Sequence, residues 1–262
     1  MKPARLFHYQ RLVEAHLVSL LSAGQLKLSR PDSFNDPWDC RVHYQVPTEP
    51  ADRQRVLAYL IEMHRRHHPA IDETERQRRA NAFMANQLQL AAAFGQMEHD
   101  MYAALCRQYR IYCLTEDPAS PLMWGHYAAS HTGICLEFDA RRDPFPAVEK
   151  VQYYTTYPAR DLPTIGYEPL ITKAMHWSYE AEWRLIAEEV SAARSRLSIK
   201  TNNDFLTLPS GVLQSITIGA LAHETSRRLI QELVNSHAPG VVVRQAAIAL
   251  DRYELTITPD FS

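Results

Sequence analysis

Between residues 51 and 108 the chain loses all strand alternation and becomes dense in Arg, Gln, Glu, Ala, Leu and Met, while short apolar runs separated by turn residues fill both flanks. That contrast restricts the possible architectures. Short strands outside a regular strand–helix–strand rhythm predict an α+β fold rather than a doubly wound one. The middle segment predicts two or three helices, broken near Pro69, that form a helical insertion or lobe within a single domain over residues 1–262. Four like-signed or titratable side chains, Arg65, Arg66, His67 and His68, suggest a partner-binding role for that lobe.

The flanks carry recognisable punctuation. Residues 5–9 predict a strand, followed by a helix whose apolar positions include Leu12, Val13, Leu17, Leu20 and Leu21 and which ends at Gly24. Residues 26–29 predict a second strand. Residues 30–39 form a loop in which Phe34 and Trp38 are expected to pack inward while Asn35 and Asp36 turn at the edge of a pocket. Strands are predicted over 110–114, 133–138, 148–154, 183–187, 213–219, 241–248 and 253–257, with a loop over 155–168. Helices are predicted over 120–129, with Ser120 as N-cap and Pro121 in the first turn, and over 223–236.

Formal net charge is −2 and charged residues make up 22% of the chain, so there is no global basic field for nucleic acid or an anionic membrane. The four cysteines, Cys40, Cys106, Cys113 and Cys135, form no C-x-x-C pair, which argues against structural zinc and for reduced thiols. No apolar stretch approaches the roughly 20 residues of a membrane span, and the N-terminal residues lack the apolar run of a secretory signal. The expectation is a cytoplasmic protein with no membrane association.

Three separated blocks concentrate polar and aromatic side chains. The first is Phe7-His8-Tyr9, where a histidine on a strand can position a ligand or simply end the strand. The second runs from Tyr112 through Met123, Trp124, His126 and Tyr127 to Phe138; Trp124 reads as core, while Tyr127 reads as a ring beside a cleft. The third begins at Lys173 and contains Glu180-Ala181-Glu182-Trp183-Arg184. Two carboxylates at i and i+2 leading into a strand are expected on one side of it, where they suit a cationic centre at an anomeric carbon. The plainer reading pairs one of them with Arg184. A divalent-ion site from Asn35, Asp36 and Asp39 with His8 or His131, and a His64/His68 ligand pair, compete with turn capping and a solvated helix face.

Phe7-His8-Tyr9, Phe34-Asn35-Asp36-Pro37-Trp38-Asp39, Leu122-Met123-Trp124-Gly125-His126-Tyr127, Gly133 to Phe138, the Trp177 to Arg184 block and Ile216-Thr217-Ile218-Gly219 together resemble the bacterial family known as domain of unknown function 2971. The order His8, Tyr127, Glu182 is similar to the His-Tyr-Glu type of the ADP-ribosyltransferase superfamily, and Glu180-Ala181-Glu182 resembles the Glu-x-Glu form of arginine-modifying members. Tyr9 stands where the polymerase type has Gly, and Trp124 where a nicotinamide-binding Ser is found.

The second resemblance implies a split, twisted, mostly antiparallel sheet with flanking helices and a cleft that binds NAD as substrate. It implies NAD contacts from His8, Tyr9, Tyr112, Tyr127 and Asn35, with His8 on the nicotinamide ribose and Tyr127 stacked on the nicotinamide. It assigns Glu182 to the ribose 2′-hydroxyl and the oxocarbenium ion, and Glu180 to the acceptor. No metal is implied. The acceptor, whether protein, nucleic acid or small molecule, is open, as are oligomeric state and a role as toxin or phage-defence effector. The alternative is a nucleotide-binding or sensor module that turns nothing over.

Overall fold

A computed structural model describes residues 2–158, 167–192 and 197–258. In chain order the elements are β1 (Arg5–Gln10), α1 (Glu14–Ala23), β2 (Gln25–Lys27), α2 (Pro50–His67), α3 (Glu73–Ala85), α4 (Gln87–Gln108), β3 (Tyr109–Leu114), α5 (Pro121–Tyr127) and β4 (Ile134–Asp139). There follow β5 (Glu149–Lys150), β6 (Gln152–Tyr154), β7 (Thr172–Ala174), β8 (Trp183–Glu189), β9 (Lys200–Thr201), β10 (Phe205–Thr207), β11 (Leu213–Ile218), α6 (Glu224–His237), β12 (Val242–Ile248) and β13 (Leu255–Thr258).

Two sheets organise the α+β fold. The larger has the order β1-β4-β11-β12-β13, and the smaller runs β3-β8-β5 with β9 also on β8. They meet where Phe7 of β1 bridges Thr115, just beyond β3. Strand pairing is mixed: β11–β12, β6–β7 and β8–β9 are parallel, and the other described ladders are antiparallel.

The period-2 geometry of β3 and β8 explains why both are buried on two faces. Tyr112, Leu114, Trp183, Leu185 and Ala187 join the core between the two sheets, which α1 and α6 complete with Leu17, Leu20, Ile230 and Val234. The alternate residues Tyr109, Ile111 and Ile186 join a second core with Leu90 and Phe94 from the helical lobe and Tyr44 from the segment before it. A third, smaller cluster packs Trp124 of α5 on Tyr9, Cys135 and Ala246 across the outer face of the larger sheet.

Several local expectations are met and others are revised. Gly24 adopts the left-handed conformation (φ 64°) and its N–H caps the end of α1. The lobe is three helices, with Pro69 between α2 and α3. The strand expected over 148–154 divides into β5 and β6, because Val151 turns its N–H to the Glu182 carbonyl and its side chain into the protein. The last strand begins at Leu255, not Tyr253, which is fully exposed. Residues 159–166 of the loop expected over 155–168 lie outside the described residues. Among the described residues no helix is long and apolar enough to cross a membrane.

Candidate functional site

His8 reaches its place because β1 pairs antiparallel with β4, opposite Leu136, at the sheet edge that faces β3. Its Nδ1 lies 2.6 Å from the Cys113 carbonyl oxygen. A carbonyl only accepts, so Nδ1 carries the proton and Nε2 keeps its lone pair. The ring stacks on Tyr112 at 4.0 Å between centroids. Burial pushes the imidazole down to about 4, against the hydrogen bond His8 donates to the Cys113 carbonyl, which favours the cation, so His8 is neutral at pH 7.

The short helix α5 is held at both ends. Ser120 accepts from the Met123 N–H at 3.4 Å as N-cap, and Trp124 Nε1 donates to the Pro118 carbonyl at 3.0 Å. Tyr9 fixes the same loop from below: its hydroxyl donates to the Asp117 carbonyl at 2.7 Å, and its ring meets Trp124 edge-on. Gly133 after the helix has no alternative, since a Cβ there would come within 2.4 Å of the Gln10 carbonyl oxygen. Thus anchored, α5 presents Tyr127, whose hydroxyl donates to Glu180 Oε1 at 2.5 Å. Burial and the Glu180 carboxylate push the Tyr127 hydroxyl far up, so it stays protonated.

Glu180 and Glu182 come together by a turn rather than by strand alternation, which corrects the expectation. Glu180 ends a 3-10 turn over Met175–Glu180, Ala181 adopts the left-handed conformation (φ 44°, ψ 47°), and Glu182 precedes β8. Both carboxylates converge on Lys173, which sits on β7 and bonds Glu180 closely and Glu182 Oε2 at 2.9 Å. Arg184 then grips Glu182 through Nε (2.8 Å) and Nη2 (3.0 Å) and forks onto both Asp39 oxygens at 2.9 and 2.7 Å. The chain Tyr127–Glu180–Lys173–Glu182–Arg184–Asp39 therefore holds three carboxylates against two cations, and every ionic member is at most 7% exposed.

Their protonation follows from position in that chain. Burial alone would raise Glu182, but Arg184 and then Lys173 outweigh it and hold the carboxyl at about 2. Glu180 lies at the end of the chain, where burial dominates over Lys173 and its carboxyl is raised. Burial opposes the charge on Lys173, yet Glu182 and Glu180 keep it above the ordinary lysine range.

A cavity of about 310 Å³ opens on this network, lined by His8, Tyr9, Asn35, Tyr127, Glu180 and Glu182, together with Lys173, Arg184, Asp39 and Phe34. Residues about 170 positions apart in sequence thus share one wall. Tyr112 does not reach it: it lies beneath His8 and lines a neighbouring cavity. On the rim, His126, Trp177 and Tyr179 form an aromatic group with centroids 6.2–6.4 Å apart.

The loop 30–39 divides its expected roles. Phe34 packs under the Arg184 guanidinium and Asn35 borders the cavity, but Trp38 is 65% exposed because Asp36 Oδ1 caps its N–H and turns the side chain out. The divalent-ion alternative does not assemble. Asp36 caps that turn through Oδ1 and does not line the cavity, Asp39 is engaged by Arg184, and His131 does not line the cavity either. Among the described residues no three His, Cys, Asp or Glu side chains are grouped to hold a metal.

Two members of the site had no role assigned from the sequence: Lys173, although it opens the third block, and Asp39 as the partner of Arg184. Lys173 stands two positions after the buried Leu170–Ile171 pair, too common a pattern to stand out. No family model matches the chain, and no match was found among curated proteins or solved structures.

Proposed function

We propose that the cavity binds NAD and transfers its ADP-ribosyl group to an acceptor or to water. The observation that carries this reading is the convergence of His8, Tyr127 and Glu180, from three distant parts of the chain, on one cavity. In the reaction the bond between ribose C1′ and the nicotinamide nitrogen breaks. The electron pair leaves with neutral nicotinamide, and positive charge develops on C1′ and the ring oxygen. The acceptor adds to C1′ and gives up a proton.

The roles divide differently from the resemblance. Glu182 is already bonded on both oxygens by Arg184 and Lys173. Glu180 carries one bond on each oxygen, from the Tyr127 hydroxyl on Oε1 and from Lys173 on Oε2, so a ribose hydroxyl reaches Oε1 by displacing only the neutral Tyr127 bond. We assign Glu180 to the ribose and the developing cation, with its raised affinity for a proton suiting it to take the acceptor's. Neutral His8 offers Nε2 as an acceptor for a ribose hydroxyl, and Tyr127 a ring face for nicotinamide. Lys173 and Glu182 act behind Glu180 as positioning residues.

One observation favours the second reading, a binding module without turnover. Lys173 neutralises the carboxylate that would stabilise the cation. Incubation with NAD separates the two: release of free nicotinamide supports transfer or hydrolysis, whereas calorimetric binding of NAD without release supports binding alone.

A further inference from the structure

A second cavity, of about 400 Å³, lies on the other side of His8, and the two share Arg11, Ser29, Ser33 and Cys113 in their linings. Its charge balance differs. The first cavity sets Asp39, Glu180 and Glu182 against Arg11, Lys173 and Arg184; the second is bordered by Arg11, Lys27 and Arg30 with one carboxylate. Its one lining carboxylate, Asp204, is engaged by Arg110, and Arg30 is paired bidentately with Asp32 at 3.0 and 2.7 Å. Arg11 and Lys27 have no hydrogen bond or ion pair among the described residues; Lys27 only lies over the Phe205 ring. Two cations on one cavity rim with no carboxylate paired to them is an arrangement that an anion completes.

Two further features point the same way. Tyr112, 3% exposed, lines this cavity, and its buried hydroxyl has no hydrogen-bond partner. Buried hydroxyls are nearly always satisfied, so an orphan beside a cavity is the condition expected of a donor that a ligand completes. The first turn of α1 also borders the cavity through Val13 and His16, and Val13 supplies no side-chain cap to the helix. The His16 N–H already bonds the Val13 carbonyl, which leaves the Glu14 and Ala15 N–H groups for another acceptor, although Glu14 in the same turn offsets part of the helix field.

We propose that this second cavity is a binding site for phosphate groups, taking a phosphomonoester or diphosphate between Arg11, Lys27 and the start of α1. The site rests on its own residues and not on the transfer reading. A ligand with a ribosyl end and a phosphate end would span both cavities past His8.

Calorimetric titration of the full chain with inorganic pyrophosphate at low ionic strength tests it. Saturable binding is expected. The double variant Arg11→Ala/Lys27→Ala, which changes two unpaired side chains, should weaken it by about tenfold or more, since each charge-assisted bond contributes appreciably. Arg228→Ala, on the exposed face of α6, should bind as the original chain does. No saturable binding by the original chain, or equal binding by the double variant, would overturn the proposal. The Glu180→Gln variant keeps the two readings apart, because it should lose nicotinamide release and retain pyrophosphate affinity.

Discussion

Glu180 and Glu182 are two positions apart but answer to different partners, and substitution should separate them. Glu182→Gln removes the carboxylate that two buried cations share, leaving Arg184 only Asp39 and Lys173 only Glu180. Breaking a buried pair from one side costs about 3–5 kcal/mol, so thermal unfolding should fall sharply whatever happens to activity. Glu180→Gln keeps Lys173 paired with Glu182 at 2.9 Å, and its melting temperature should fall less. Equal losses in the two variants would contradict the asymmetry drawn between them. His8 gives a pH signature. Its pKa is about 4 in the folded protein and 6.5 in the reference state. The unfolded chain therefore binds the extra proton between these values, and stability is lost as pH falls from about 6.5 toward 4. His8→Phe should flatten that part of a plot of urea midpoint against pH, and an unchanged slope would mean that His8 is not buried in its neutral form.

At the scale of elements, the site depends on short segments held by specific contacts. Gly133 joins α5 to β4, and an added methyl would press on the Gln10 carbonyl of β1 and on Ala128. Gly133→Ala should cost roughly 2 kcal/mol by overpacking, and should weaken ligand binding by moving Tyr127 from Glu180; a denaturation midpoint equal to that of the original chain would count against the role given to this junction. Such elements were legible unevenly. Ser120-Pro121 announces α5 and Gly24 ends α1, because capping is local chemistry. The meeting of Glu180 with Glu182 was expected for the wrong reason: alternation suggested a shared strand face, whereas the left-handed Ala181 makes the turn. An alanine with positive φ carries no mark in sequence. The Lys173 pairs and the Asp39–Arg184 fork were hidden for another reason. The fork joins residues 145 positions apart, and only the assembled sheet brings them together.

The molecule as a whole is built so that the lobe cannot be removed without cost. Ile111 and Ile186, on the second sheet, share their core with Phe94 and Leu90 of α4. Phe94→Ala should destabilise by about 3–5 kcal/mol, and calorimetry should show one transition for lobe and sheet together; two separate transitions would make the lobe an independent unit. The same packing sets the site beside the lobe core, since Arg184, two residues from Ile186 and on the same face of β8, lines the cavity. Sequence texture was sufficient to expose the lobe and the three polar blocks, but not the second cavity, whose Arg11 and Lys27 are ordinary surface residues until β1, α1 and β2 are folded around them. The central claim is that the Tyr127–Glu180 cavity processes NAD. Its most direct test is nicotinamide release from NAD by the purified full chain, with and without lysate as a source of acceptor, beside the folded Glu180→Gln variant. The account predicts release by the original chain and a loss on the order of 100–1,000-fold in the variant, the usual effect of removing one preorganised electrostatic partner. An original chain that releases no nicotinamide under either condition and shows no heat of NAD binding would contradict it.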